Sequence, residues 1–129
     1  MTQQIPENLK YTQEHEWIRQ DGKHAVIGIS SHAQDTLGDI VFVELPKVGS
    51  LLSAGKAFGV VESTKAVNEL FAPVSGKVLR INEELTSNPQ LVNTEPYEKG
   101  WMIEIEMSHP EELNALMDAA AYKNFLKHP

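Results

Sequence analysis

Ala57-Phe-Gly-Val-Val-Glu-Ser63, Thr64-Lys65-Ala66 and Val67-Asn-Glu-Leu-Phe71 form the stretch on which the fold turns. The two outer runs are short and rich in Val and Phe, so they predict paired strands joined at a tight turn. Lys65 stands at that turn and is the only basic residue between Ala57 and Gly76. A lysine in such a place is ordinarily a solvated surface charge. Its setting argues for more. Ala66 beside it leaves room for another enzyme to approach, Glu62 and Glu69 flank it at three and four residues, and Pro73 and Gly76 end the returning run. A side chain fixed at its base and free at its tip suits modification and delivery.

On the N-terminal side, Glu16-Trp-Ile-Arg-Gln20 and Lys23-His-Ala-Val-Ile-Gly-Ile29 flank Asp21-Gly22, which reads as a hairpin with positive φ at both turn residues. Ser30 or Ser31 caps a short helix through Leu37, with Ala33 and Leu37 on one face and Gly38 as its stop. Ile40 to Leu45 is a strand closed by Pro46. From Gly49 onward, glycines and Pro73 punctuate short apolar runs, the pattern of a small barrel or sandwich. Val48 to Phe58 and Ala72 to Leu79 share an apolar–small–Gly-Lys–apolar order, which suggests a pseudo-twofold pair of hairpins about Lys65.

Residues 82 to 100 are polar, hold Pro89 and Pro96, and read as a loop with a turn of helix. Trp101 to Met107 alternates, with Trp101, Ile103, Ile105 and Met107 on one face and Glu104 and Glu106 on the other. Ser108-His-Pro-Glu111 fits a capping box opening a helix over about 109–127, with Leu113, Leu116, Met117 and Ala120 on one stripe. The expected class is therefore β-rich α+β, a single domain over 1–129 with short helices and a C-terminal helix.

Bulk properties narrow the function. The chain has 129 residues, 41% hydrophobic and 22% charged, as a globular domain does. A net charge of −7 without a Lys/Arg cluster argues against nucleic acid and anionic membranes and favours basic patches on protein partners. No apolar run approaches a membrane span, and Met1-Thr-Gln-Gln-Ile-Pro6 carries no targeting pattern, so the expectation is cytoplasmic. Cysteine is absent, which removes disulfides, thiolate metal sites and thiol nucleophiles. A carrier of a reactive dithiol would also gain by having no thiol of its own.

Catalytic and metal motifs are weak. His15, His24, His32, His109 and His128 lack the spacing of a site on one element, so no metal is expected. Gly49 to Lys56 is one residue too long for a phosphate loop, and Ala57 replaces its hydroxyl. Ser63, Thr64 or Ser75 with His32 or His15 forms no nucleophile elbow. The chain reads as a carrier and not as an enzyme.

Several long motifs in order resemble the glycine cleavage H-protein family, relatives of the lipoyl domains. They are Lys10-Tyr-Thr-Gln-Glu-His-Glu-Trp17, His32-Ala-Gln-Asp-Thr-Leu-Gly-Asp39, Val41-Phe-Val-Glu-Leu-Pro46, Gly59-Val-Val-Glu-Ser-Thr-Lys-Ala66, Pro73-Val-Ser-Gly76 and Asn93-Thr-Glu-Pro-Tyr-Glu-Lys-Gly-Trp-Met-Ile103. The resemblance implies a barrel–sandwich hybrid with Lys65 bearing (R)-lipoate in amide linkage. It implies a shuttle carrying an aminomethyl group from glycine decarboxylase (P protein) to aminomethyltransferase (T protein). The reduced arm would then be reoxidised by dihydrolipoyl dehydrogenase (L protein), and lipoate-attaching enzymes would be further partners. Glu16 and Glu69 are candidates to hold the arm's ammonium, because both lie near segments the family places beside it. Thr64 stands where the family often has Val, and Asn68-Glu69 where Ser or Thr followed by Asp is frequent.

Other carriers fit less well. A lipoyl domain of a 2-oxo-acid dehydrogenase usually has Asp before the lysine and flexible linkers, and a biotin carrier has flanking methionines. A relay that donates lipoyl groups to other enzymes would share the fold, and a structural barrel would leave Lys65 unmodified.

Overall fold

The computed structural model describes residues 5–127; the first four residues and the last two, His128 and Pro129, lie outside it. Among the described residues nine strands form two sheets. The larger orders β1 (Lys10–Tyr11), β2 (Glu16–Asp21), β3 (His24–Ile29), β9 (Ile103–Met107), β8 (Gly76–Ile81) and β5 (Leu51–Leu52). The smaller orders β4 (Ile40–Glu44), β6 (Ala57–Ser63) and β7 (Val67–Phe71). All pairings are antiparallel. Alternation along β2, β3, β8 and β9 turns Ile18, Ala25, Ile27, Val78, Ile103 and Ile105 inward against Ile40, Val43, Val61 and Leu70 of the smaller sheet.

The strands β6 and β7 span the expected residues. The helix α1 (Ser31–Leu37) does too, and the Ser30 hydroxyl accepts from the Ala33 amide at 3.3 Å, making Ser30 its cap. The first hairpin is displaced by one residue. Asp21 pairs with His24, so the turn is Gly22–Lys23, with positive φ at Gly22 alone. The segment expected as a loop with one turn of helix holds two such turns, α2 (Glu84–Ser87) and α3 (Leu91–Thr94). The two Gly-Lys dipeptides are not equivalent, since Gly55 is in a turn at φ +84 whereas Gly76 begins β8.

The C-terminal helix expected over 109–127 is broken. A 3₁₀ helix covers Pro110–Ala115, and α4 begins only at Ala119 and runs to Lys127. Between them Met117 bridges to Tyr11, accepting from its amide at 2.7 Å and donating to its carbonyl at 2.9 Å. Asp118 Oδ1 then accepts from the Ala121 amide at 2.8 Å and starts a new helix. That restart changes the buried stripe: Ala119 and Tyr122 are buried, and Ala120 is exposed. The capping box also fails to form. His109 makes no side-chain cap, and Glu111 turns to the His109 ring at 3.4 Å.

A second apolar cluster of Leu9, Tyr11, Trp17, Tyr97, Ala119 and Tyr122 seals α4 onto β1 and β2. Tyr11 and Tyr122 stack with centroids 4.5 Å apart, and Trp17 Nε1 donates to the Pro96 carbonyl at 2.9 Å.

Candidate functional site

Lys65 is exposed at the apex between β6 and β7. Among the described non-glycine residues only His15 has positive φ, so the apex is not the mirror-image turn that best matches strand twist. Ser63 compensates. Its hydroxyl accepts from the amides of both Lys65 and Ala66 at 3.1 Å, while its own amide donates to the Ala66 carbonyl at 2.8 Å. The Thr64 amide donates to the Asp39 carbonyl at 3.2 Å, fastening the apex to the loop that follows α1. Asn93 on α3 holds that loop, donating to the Gly38 carbonyl and accepting from the Ile40 amide, each at 2.8 Å. The lysine base is rigid because three separate elements meet beneath it.

Next to the apex, β7 is an edge strand, and between it and the larger sheet lies a cleft of about 450 Å³. Ile29, Ala33, Leu37, Val61 and Leu70 give it apolar walls, and Glu16, Asn68 and Glu69 give it polar ones. Glu16 and Glu69 thus line one space, but unequally. Glu69 is exposed, and its pairing with Val60 puts it on the sheet face opposite Asn68, which pairs with the buried Val61.

Glu16 is only 2% exposed. Its Oε1 accepts from the Thr12 hydroxyl at 2.7 Å, and its Oε2 from the Phe71 amide at 3.2 Å, so it ties β2 to the free edge of β7. Burial pushes its pKa up to about 7, against the opposing pull of those two hydrogen bonds. Among the described residues it forms no ion pair. A desolvated carboxylate at the end of an apolar cleft is suited to receive a cation.

Behind Glu16, His15 Nδ1 lies 2.8 Å from the Tyr122 hydroxyl, which lies 2.7 Å from Ser30 Oγ. The Ser30 hydroxyl already accepts from Ala33, so the chain is complete when Ser30 donates to Tyr122 and Tyr122 donates to a neutral His15. Burial, and then the His32 ring 4.6 Å away, lower the His15 pKa in keeping with that neutral form. Among the described residues the fold brings the rings of His15 and His32 together, and no group of three metal-ligating side chains converges.

A model of the glycine cleavage H-protein family matches residues 9–129. The chain belongs to that family. It is 56% identical over 128 residues to the glycine cleavage system H protein of Myxococcus xanthus (strain DK1622), covering 99% of each chain. Over 121 residues it is 54% identical to glycine cleavage system H protein 2, mitochondrial, of Arabidopsis thaliana, covering 94% of this chain and 78% of that protein. Its fold superposes on the crystal structure of a glycine cleavage system H protein from Mycobacterium marinum with a TM-score of 0.88 at 37% identity, covering 95% and 99% of the two chains. The fold is the barrel–sandwich type of the H-protein family.

Sequence reasoning missed Ser63, Asn93 and Thr12. Ser63 had a legible signal, a hydroxyl two residues before a turn lysine. Asn93 and Thr12 act across 53 and four residues respectively, and only the first is beyond local reading.

Proposed function

We propose that this chain is the lipoyl-bearing shuttle of glycine cleavage, with Lys65 as the lysine that takes (R)-lipoate in amide linkage. In this role it receives an aminomethyl group from the P-protein glycine decarboxylase and delivers it to the T-protein aminomethyltransferase. It then offers the reduced arm to the L-protein dihydrolipoyl dehydrogenase. The observation that carries the reading is an exposed lysine on a rigid apex beside a cleft ending in a buried carboxylate that, among the described residues, has no ion-pair partner. The residues suit the group: Thr64 and Ala66 leave the amine approachable, and the cleft is of the size that takes a small ligand.

Lipoate supplies a dithiolane that is opened and closed at the partner sites. The chain itself supplies position. Attachment at a fixed apex raises the local concentration of the arm's tip at each docked partner. The apolar walls exclude water from a labile cargo. Glu16, as carboxylate, would hold the cargo's ammonium by a charge-assisted contact, with Thr12 and the Phe71 amide keeping its two oxygens aimed. Glu69 would contribute from the rim. A cation arriving at Glu16 favours its ionised form, so docking near neutral pH would release a proton. The chain acts as a non-catalytic carrier, and a cytoplasmic setting fits it. No specific observation favours the lipoyl-relay reading.

The test is reconstitution of glycine decarboxylation with a matched P protein, and the rate at which the isolated loaded carrier loses its aminomethyl group. Glu16→Gln is expected to accelerate that loss, and an unchanged rate in both Glu16→Gln and Glu69→Gln would remove these residues from the reading.

A further inference from the structure

Gly38 closes α1 at φ +83, and the space where its side chain would be is already in use. A Cβ built there would meet Lys65 Cε at 3.0 Å and Nζ at 3.7 Å; among the described residues nothing else outside its own helix and chain neighbours comes within 4 Å. The Lys65 side chain therefore does not project straight from the apex. It lies back over the end of α1. Ala33, Thr36 and Leu37, on the same helix immediately before Gly38, line the cleft. The loop beneath is immobilised by Asn93 and tied to the apex through Asp39 and Thr64, so the lysine and its platform keep one relative position.

We infer that Gly38 is a positioning residue for the arm, a bare threshold over which the Lys65 stem lies so that whatever it carries is directed along α1 into the cleft. This rests on the parked-arm reading above and adds a residue that touches neither Glu16 nor the cargo. A side chain at Gly38 would meet the far end of a flexible lysine, so the lysine gives way and the fold need not. The arm would then leave the apex toward solvent.

Gly55 supplies a matched control. It has φ +84, the same backbone demand, with nothing within 4 Å of its Cβ position. Asn tolerates the left-handed region better than other side chains, so Gly38→Asn and Gly55→Asn carry comparable strain and differ in the lysine contact. The chain has no cysteine, so a thiol reagent reads the arm alone.

The experiment loads lipoylated wild type, Gly38→Asn and Gly55→Asn from glycine with a matched P protein, then follows iodoacetamide alkylation of the arm's free thiol by intact mass. Wild type and Gly55→Asn are expected to be protected relative to their unloaded reduced forms. Gly38→Asn is expected to react roughly three- to tenfold faster than they do when loaded, the factor that ordering one long side chain is worth. Equal protection in Gly38→Asn overturns the inference while leaving the parked arm intact. Absence of protection in wild type overturns both. In wild type alone, loading is expected to shift the amide resonances of Leu37 and Gly38 and to leave Gly55 in place; an unmoved Gly38 overturns the inference without any variant.

Discussion

The β6–β7 hairpin and the seam where α4 meets β1 and β2 are built on opposite principles. In the hairpin, residues 64 to 69 are all exposed, and β7 leaves one edge unpaired. In the seam, Tyr11, Trp17 and Tyr122 have no exposed surface, and the described hydroxyls are bonded to Pro6, His15 and Ser30. Burial and satisfied polar groups hold a fold together, whereas a segment that must offer a side chain to several partners needs little of either. Stability and delivery are thus assigned to separate regions, joined at Glu16. That residue leaves the seam side and bonds the edge of β7.

The largest effect is expected at the seam. Trp17→Ala removes a fully buried ring and its bond to Pro96, and is expected to cost about 3–5 kcal/mol in chemical denaturation. The fraction that stays folded should still be modified at Lys65. A cost under about 1 kcal/mol would mean that the seam is not where stability resides.

Glu16 sharpens the boundary between the regions through pH. Its folded pKa is raised from an ordinary 4.5 to about 7, chiefly by burial. Its contribution to stability is accordingly full below about pH 4.5 and is lost as pH rises through about 7. The difference between those limits is on the order of 3 kcal/mol. Urea midpoints for wild type should fall across this window relative to Glu16→Gln, and parallel pH profiles for the two would refute the assignment.

Tyr122→Phe keeps the stacked ring and deletes the hydroxyl between His15 and Ser30, with an expected loss of about 1–3 kcal/mol. Thermal melts would measure it. The smallest change is at the hairpin: Lys65→Ala should alter stability by less than about 0.5 kcal/mol in the same melts. A larger loss there would mean that the apex carries weight in the fold.

Much of this was legible in the sequence because the signals are local. The short Val- and Phe-rich runs on either side of the turn, Gly38 after Leu37, and the lone Lys65 each depend on neighbours a few residues away. The C-terminal break was not, because the Tyr11–Met117 bridge spans most of the chain and overrides a helical pattern that looks continuous. Asp118 before three alanines was the local cue to the restart. At the site, the sequence placed Glu16 and Glu69 on equal footing. Their difference in burial comes from β7 approaching β2 across 55 residues, which no window can see.

The central claim is that one amine, Lys65, receives the arm. Wild type and Lys65→Arg, each exposed to lipoate and a lipoate-attaching enzyme, should be compared by intact mass with peptide mapping. The account requires a single lipoyl amide on Lys65 in wild type and none in Lys65→Arg. A lipoyl adduct that persists in Lys65→Arg, or that maps to another lysine, would contradict it.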